Sequence, residues 1–171
     1  GKTAAFTLPI LAKLAQAFGG ENRPGTKVLV LAPTRELVVQ IHENVVNYSK
    51  HVPISIANVY GGVSERPQIQ ALRGGANVVI ATPGRLMDHM NSGKAVLKNL
   101  EMLVLDEADR MLDMGFIDDV RRIIAATPES RQTLLFSATL DRSVAQFARN
   151  ILRDPVRIDT PSERTSHGDI E

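Results

Sequence analysis

Cysteine and tryptophan are absent from this chain, and other aromatic residues are scarce, with two tyrosines and five phenylalanines in 171 residues. Without cysteine there can be no disulfide and no thiolate-bound metal, and a reducing cytosol is permitted. With so few rings, base stacking is not expected as a main mode of nucleic-acid binding. No apolar run approaches the roughly 18 residues of a membrane span, and no secretory signal is visible. An excess of one charge is missing as well. The 20 Lys and Arg nearly balance the 19 Asp and Glu, for a net charge of +1. Any surface for a polyanion must therefore be local rather than global. The histidines, His42, His51, His89 and His167, are scattered without the spacing of a zinc site.

What is present is an ordinary globular composition, 43% hydrophobic and 23% charged, in a length that suits about one domain with a sizeable core. Short apolar runs alternate with helical stretches. Strands are expected at Val28–Ala32, Ser55–Tyr60, Val78–Ala81, Met102–Leu105, Thr133–Phe136 and Val156–Ile158. Leu37, Ile41, Val45 and Tyr48 fall on one stripe of an intervening helix. Thr82-Pro83 reads as an N-cap and first-turn proline, with Ser92-Gly93 ending that helix. Gly74-Gly75 closes another that begins near Ser64. This alternation predicts an α/β fold, a parallel sheet with helices on both faces. Residues 160–171 are polar and aperiodic and read as a linker or frayed tail.

Asp106-Glu107-Ala108-Asp109 stands directly behind the run Met102–Leu105. Acids there emerge at the C-terminal end of a buried parallel strand, where open α/β sheets bind ligands. Two such carboxylates can hold a magnesium ion and steer a water. The alternative is that they simply suit the positive end of a helix dipole. Gly1-Lys2-Thr3 matches the last part of a phosphate-binding loop, whose lysine reaches β/γ phosphates and whose hydroxyl binds magnesium. The next strand delivers Ser137-Ala138-Thr139 to the same sheet edge. These hydroxyls either link the acids to another surface or cap the helix after Asp141.

A second constellation carries arginines. Val28–Ala32 leads into Pro33-Thr34-Arg35-Glu36-Leu37, and Val78–Ala81 into Thr82-Pro83-Gly84-Arg85. Amides at a helix mouth plus a guanidinium suit backbone phosphates. Gly61-Gly62 follows a third strand and lets a backbone come close. Contacts of this kind, to sugar and phosphate, give little sequence specificity. Taken singly, each of these loops also reads as a well-capped helix.

With these residues in hand, the chain resembles the first RecA-like domain of a DEAD-box RNA helicase, over residues 1–159. The resemblance rests on the order and spacing of Gly1-Lys2-Thr3, Pro33–Leu37, Gly61-Gly62, Thr82–Arg85, Asp106–Asp109 and Ser137–Thr139. The wording from Leu105 to Phe116 is most similar to bacterial members. The resemblance implies ATP and magnesium as cofactors, RNA as partner and a cytoplasmic location. It implies that Gly1, Lys2 and Thr3 bind nucleotide, with Thr3 and Asp106 on the metal and Glu107 serving the attacking water. Asp109 is expected to bond toward Ser137 and Thr139, coupling nucleotide to RNA. Pro33, Thr34, Arg35, Gly61, Gly62, Thr82, Gly84 and Arg85 are expected along the RNA backbone.

Against the family pattern, the first strand, the adenine-reading segment and the first half of the phosphate loop are missing upstream. The second RecA-like domain, with its arginine fingers, is missing downstream. The chain alone is accordingly expected to be inactive and to self-associate through an exposed sheet edge. Two other readings stand beside the helicase: a module that docks RNA or protein without turnover, and a RecA-like ATPase acting on DNA.

Overall fold

The computed structural model describes residues 7, 9, 10, 12, 13, 25–51 and 53–152. Five strands form one parallel sheet: β1 (Val28–Leu31), β2 (Ile56–Val59), β3 (Val78–Ala81), β4 (Met102–Leu105) and β5 (Gln132–Leu135), in the spatial order β2-β3-β1-β4-β5. Among the described residues, six helices connect or follow these strands: α1 (Arg35–Tyr48), α2 (Arg66–Arg73), α3 (Pro83–Asn91), α4 (Ala108–Asp113), α5 (Ile117–Ala125) and α6 (Arg142–Ile151). The expected strands are present, with ends that differ by at most a residue. Residues Val156–Ile158, the 160–171 tail and Gly1-Lys2-Thr3 lie outside the described residues.

The sheet is covered on both faces, and the side chains divide accordingly. Leu29, Leu31, Val79, Ala81, Leu103 and Leu105 face one core with Leu86, Met111, Ile123, Val144 and Phe147. Val28, Val30, Val78, Ile80, Met102 and Val104 face the other with Val38, Ile41 and Val45. Alternate residues of a strand point to opposite faces, so strands buried twice read as unbroken apolar runs. Each fully buried aliphatic side chain contributes about 1.5–3 kcal/mol. β5 pairs only with β4 among the described residues, and its side chains are mostly less buried than those of the central strands.

One expectation about helices needs correction and one is borne out with a detail added. The buried stripe of α1 is Val38, Ile41 and Val45. Leu37 is only half-buried, and Tyr48, the last residue of the helix, is 50% exposed. Thr82 does occupy the N-cap position of α3, but its side chain makes no capping hydrogen bond. Pro83 at the first helical position has no N–H to satisfy, and its fixed φ starts the helix without that cap.

The register positions the site. Val59, Ala81, Leu31, Leu105 and Leu135 stand side by side across the sheet, so all five strands end at one level. The chain runs from β1 toward β2 but from β4 toward β5, so the strand order reverses between β1 and β4. The crevice beyond such a reversal is where open α/β sheets bind ligands.

Candidate functional site

On the β4–β5 side of that reversal stands the acidic motif. Asp106 is buried at the end of β4, and its Oδ1 accepts the Glu107 N–H at 2.9 Å. Glu107 has φ 51°, the one described non-glycine residue in the left-handed region. That conformation costs an L-residue roughly 1–2 kcal/mol, and such strain concentrates where a side chain must be aimed. The Glu107 carboxylate pairs with Arg110, whose Nη1 donates to Oε1 at 3.1 Å. The chain then enters α4, where the Ala108 N–H donates to the Phe136 carbonyl at 3.0 Å and ties the motif to the exit of β5.

Ser137 follows at once and is 1% exposed. Its Oγ accepts the Asp109 N–H at 3.2 Å and donates to the Thr139 carbonyl at 2.7 Å. The Thr139 hydroxyl donates in turn to Asp109 Oδ2 at 3.2 Å. The expected link from Asp109 to both hydroxyls is therefore present. The alternative, capping of the last helix, is not: Asp141 caps α6 itself, accepting the Val144 N–H at 2.9 Å. Those bonds to Val144 and Ser143 hold the Asp141 carboxyl below its usual range.

On the β2-β3-β1 side, three adjacent strands present the two arginine loops and the Gly61-Gly62 loop. Thr34 Oγ1 accepts the Leu37 N–H at 3.2 Å and caps α1. Pro33 is buried, while Arg35, Gly61, Gly62 and Gly84 are exposed and Thr82 and Arg85 are half-buried. The Arg35 guanidinium lies 5.3 Å from the centre of the Tyr60 ring, a cation–π distance. Gly62 has φ 83°, and a Cβ there would stand 3.7 Å from Arg35 Nη1. Glycine is thus favoured by the turn, since the 3.7 Å approach is an ordinary van der Waals contact. Arg85 Nη1 donates to the Val63 carbonyl and to Gln68 Oε1, both at 3.2 Å.

Four residues of this arrangement escaped the sequence reading: Tyr60, Gln68, His89 and Arg110. Tyr60 directly precedes Gly61-Gly62, which is a usable signal. Gln68 and His89 carry none, because their partners lie 8 to 21 residues away. Both are buried, and burial pulls the His89 pKa below 6.5, opposed by the charge of Glu65.

Among the described residues no three carboxylates or histidines converge to hold a metal. The donor set still fits magnesium, which commonly uses one or two carboxylates and takes its other ligands from phosphates and water. Buried Asp106 is such a carboxylate.

Comparison with known proteins is consistent with this geometry. The family model of the DEAD/DEAH box helicases matches residues 1–147. The ATP-dependent RNA helicase DeaD of Buchnera aphidicola is 45% identical over 172 aligned residues, covering 100% of this chain and 28% of the relative. The ATP-dependent RNA helicase drs1 of Neurospora crassa is 46% identical, covering 99% of this chain and 20% of the relative. The crystal structure of a DEAD box protein from Methanococcus jannaschii superposes with a TM-score of 0.81 at 41% identity, covering 90% of this chain and 40% of that one. The chain thus spans between a fifth and two fifths of the length of these proteins.

Proposed function

The chain belongs to the DEAD/DEAH box helicase family, and from that premise we propose that it is the first RecA-like domain, residues 1–159, of an ATP-dependent RNA helicase. The observation that carries the reading is the contact between motifs. Ser137 and Thr139 hold Asp109 at the edge where the arginine loops also emerge. A change at the phosphates can then reach the RNA loops through hydrogen bonds and strand ends in register.

Asp106 is the residue that would hold magnesium, together with Thr3. The metal supplies charge neutralisation on the phosphates when bound. Gly1 and Lys2 complete the phosphate end of the site. Glu107 orients the attacking water and accepts its proton; its half-buried carboxylate and the buried one of Asp106 suit different tasks. Pro33, Thr34, Arg35, Gly61, Gly62, Thr82, Gly84 and Arg85 line single-stranded RNA, mainly along its phosphates. Affinity there depends on charge more than on base identity.

The reading includes a second RecA-like domain that closes over ATP and RNA, and a cytoplasmic setting. The structure has no helix long and apolar enough to cross a membrane, among the described residues. The one-sided pairing of β5 is the proposed route by which the chain alone self-associates. An RNA-docking module without turnover has less support, since Asp106 and Glu107 are both in place.

The test uses the full-length protein. RNA-stimulated ATP hydrolysis and ATP-dependent separation of a short RNA duplex are expected. Turnover indifferent to RNA would refute the reading, and equal stimulation by single-stranded DNA would favour the DNA-directed ATPase.

A further inference from the structure

The two arginines of the proposed RNA surface both rest on the loop that follows β2. Arg35 lies over the Tyr60 ring, and Arg85 donates to the carbonyl of Val63. Beneath this loop is one buried amide. Gln68, on α2, is 5% exposed. Its Nε2 donates to the Tyr60 carbonyl at 2.9 Å. Its Oε1 accepts from Arg85 Nη1 at 3.2 Å and stands 2.8 Å from His89 Nε2.

The partners fix the amide orientation. Reversed, its NH₂ would face a guanidinium that can only donate, and its oxygen would face a carbonyl. Because Oε1 is the acceptor, His89 carries a proton on Nε2. Both acceptor sites of Oε1 are then used, one by α3's arginine and one by α3's buried histidine. Gln68 therefore joins three elements, α2, α3 and the loop after β2. It has no access to a ligand of its own.

We propose that Gln68 is a positioning residue of the RNA surface, fixing the Arg85 guanidinium and the Tyr60–Val63 loop relative to each other without touching RNA. The inference rests on the reading of Arg85 as a phosphate contact and adds what holds it in place. An arginine tethered by two hydrogen bonds has lost much of its rotamer freedom before RNA arrives. Pre-organisation of that kind strengthens binding by lowering the ordering cost paid on association.

The experiment is a double-mutant cycle in the full-length protein, measuring affinity for a single-stranded homopolymer RNA by fluorescence anisotropy. Gln68→Met keeps length and helix propensity but forms none of the three bonds. With Arg85 present it is expected to weaken binding about three- to tenfold, the range for one released side chain. In an Arg85→Ala background it is expected to add a clearly smaller loss, only that of the Tyr60 tether, because residues acting through one another are not additive. A loss of the same size in both backgrounds, or none in either, would overturn the inference while leaving the RNA surface standing. If Arg85→Ala itself leaves affinity unchanged, the surface reading fails and this inference with it. Should circular dichroism show Gln68→Met unfolded, Gln68→Asn serves in its place. Its amide keeps the site polar but is one methylene too short to reach Tyr60 and Arg85 together. The same non-additivity is expected, and additive losses would count against the proposal.

Discussion

Replacing Ser137 with alanine removes one hydroxyl and no charge, and the structure gives that change a definite size. The hydroxyl is 1% exposed and serves two backbone groups, accepting from Asp109 N–H and donating to the Thr139 carbonyl. Thr139 is exposed, so its carbonyl can turn to water. Asp109 N–H lies in the half-buried first turn of α4 and loses its partner. An unsatisfied buried donor costs about 1–3 kcal/mol. Taking about 2 kcal/mol, a domain of this size should melt roughly 4–8 °C lower. Thr139→Val is the control. It removes a single exposed contact to Asp109 Oδ2, for about 0.5 kcal/mol. Thermal unfolding followed by circular dichroism should therefore rank Ser137→Ala well below Thr139→Val. In the full-length protein, both variants should lose duplex separation more than ATP hydrolysis if the contact couples, as proposed. A Thr139→Val variant as unstable as Ser137→Ala would refute the assignment of the buried bridge. Equal loss of both activities would refute coupling.

Arg35→Glu and Arg85→Glu should each weaken binding to all single-stranded RNA sequences alike and lower the slope of affinity against salt by about one; unchanged affinity in both would remove these loops from the RNA path. Thr34→Ala loses a side-chain cap and should cost about 1 kcal/mol in urea unfolding, whereas Thr82→Ala, which loses none, should cost clearly less. Acid should weaken the fold through two histidines. Burial lowers the pKa of His42 and His89 below 6.5 in the native state, so the unfolded chain binds protons first. Their contribution is complete above pH 6.5 and is lost as pH falls through the lowered values; His89→Gln should make that decline shallower, and an identical decline would exclude His89 from it.

How much of this was readable without coordinates follows from where each signal lives. The strands β1, β3 and β4 are buried on both faces, so their sequences are continuous apolar runs. Every loop that follows them could therefore be assigned to one sheet edge. The neighbours could not: that β3 lies between β2 and β1, which puts the two arginine loops and the Gly61-Gly62 loop on three adjacent strands, is a property of the whole topology. The exposure of Leu37 and Tyr48 on α1 was not legible because periodicity gives a phase but not which positions the neighbouring elements cover. The left-handed Glu107 has no local signal, since glutamate seldom adopts that conformation and only β4, α4 and β5 together impose it. Gln68 and His89 were invisible for a related reason. A buried polar residue is stable only through partners, and theirs come from distant segments.

The central claim is that Glu107 serves the attacking water at a site whose metal carboxylate is Asp106. Steady-state ATP hydrolysis by the full-length protein carrying Glu107→Gln tests it most directly, measured with saturating RNA alongside equilibrium binding of ATP. The amide keeps the size of the side chain and loses its basicity, so turnover should fall by about 10²–10⁴-fold while ATP still binds. Hydrolysis at the parental rate would contradict the account.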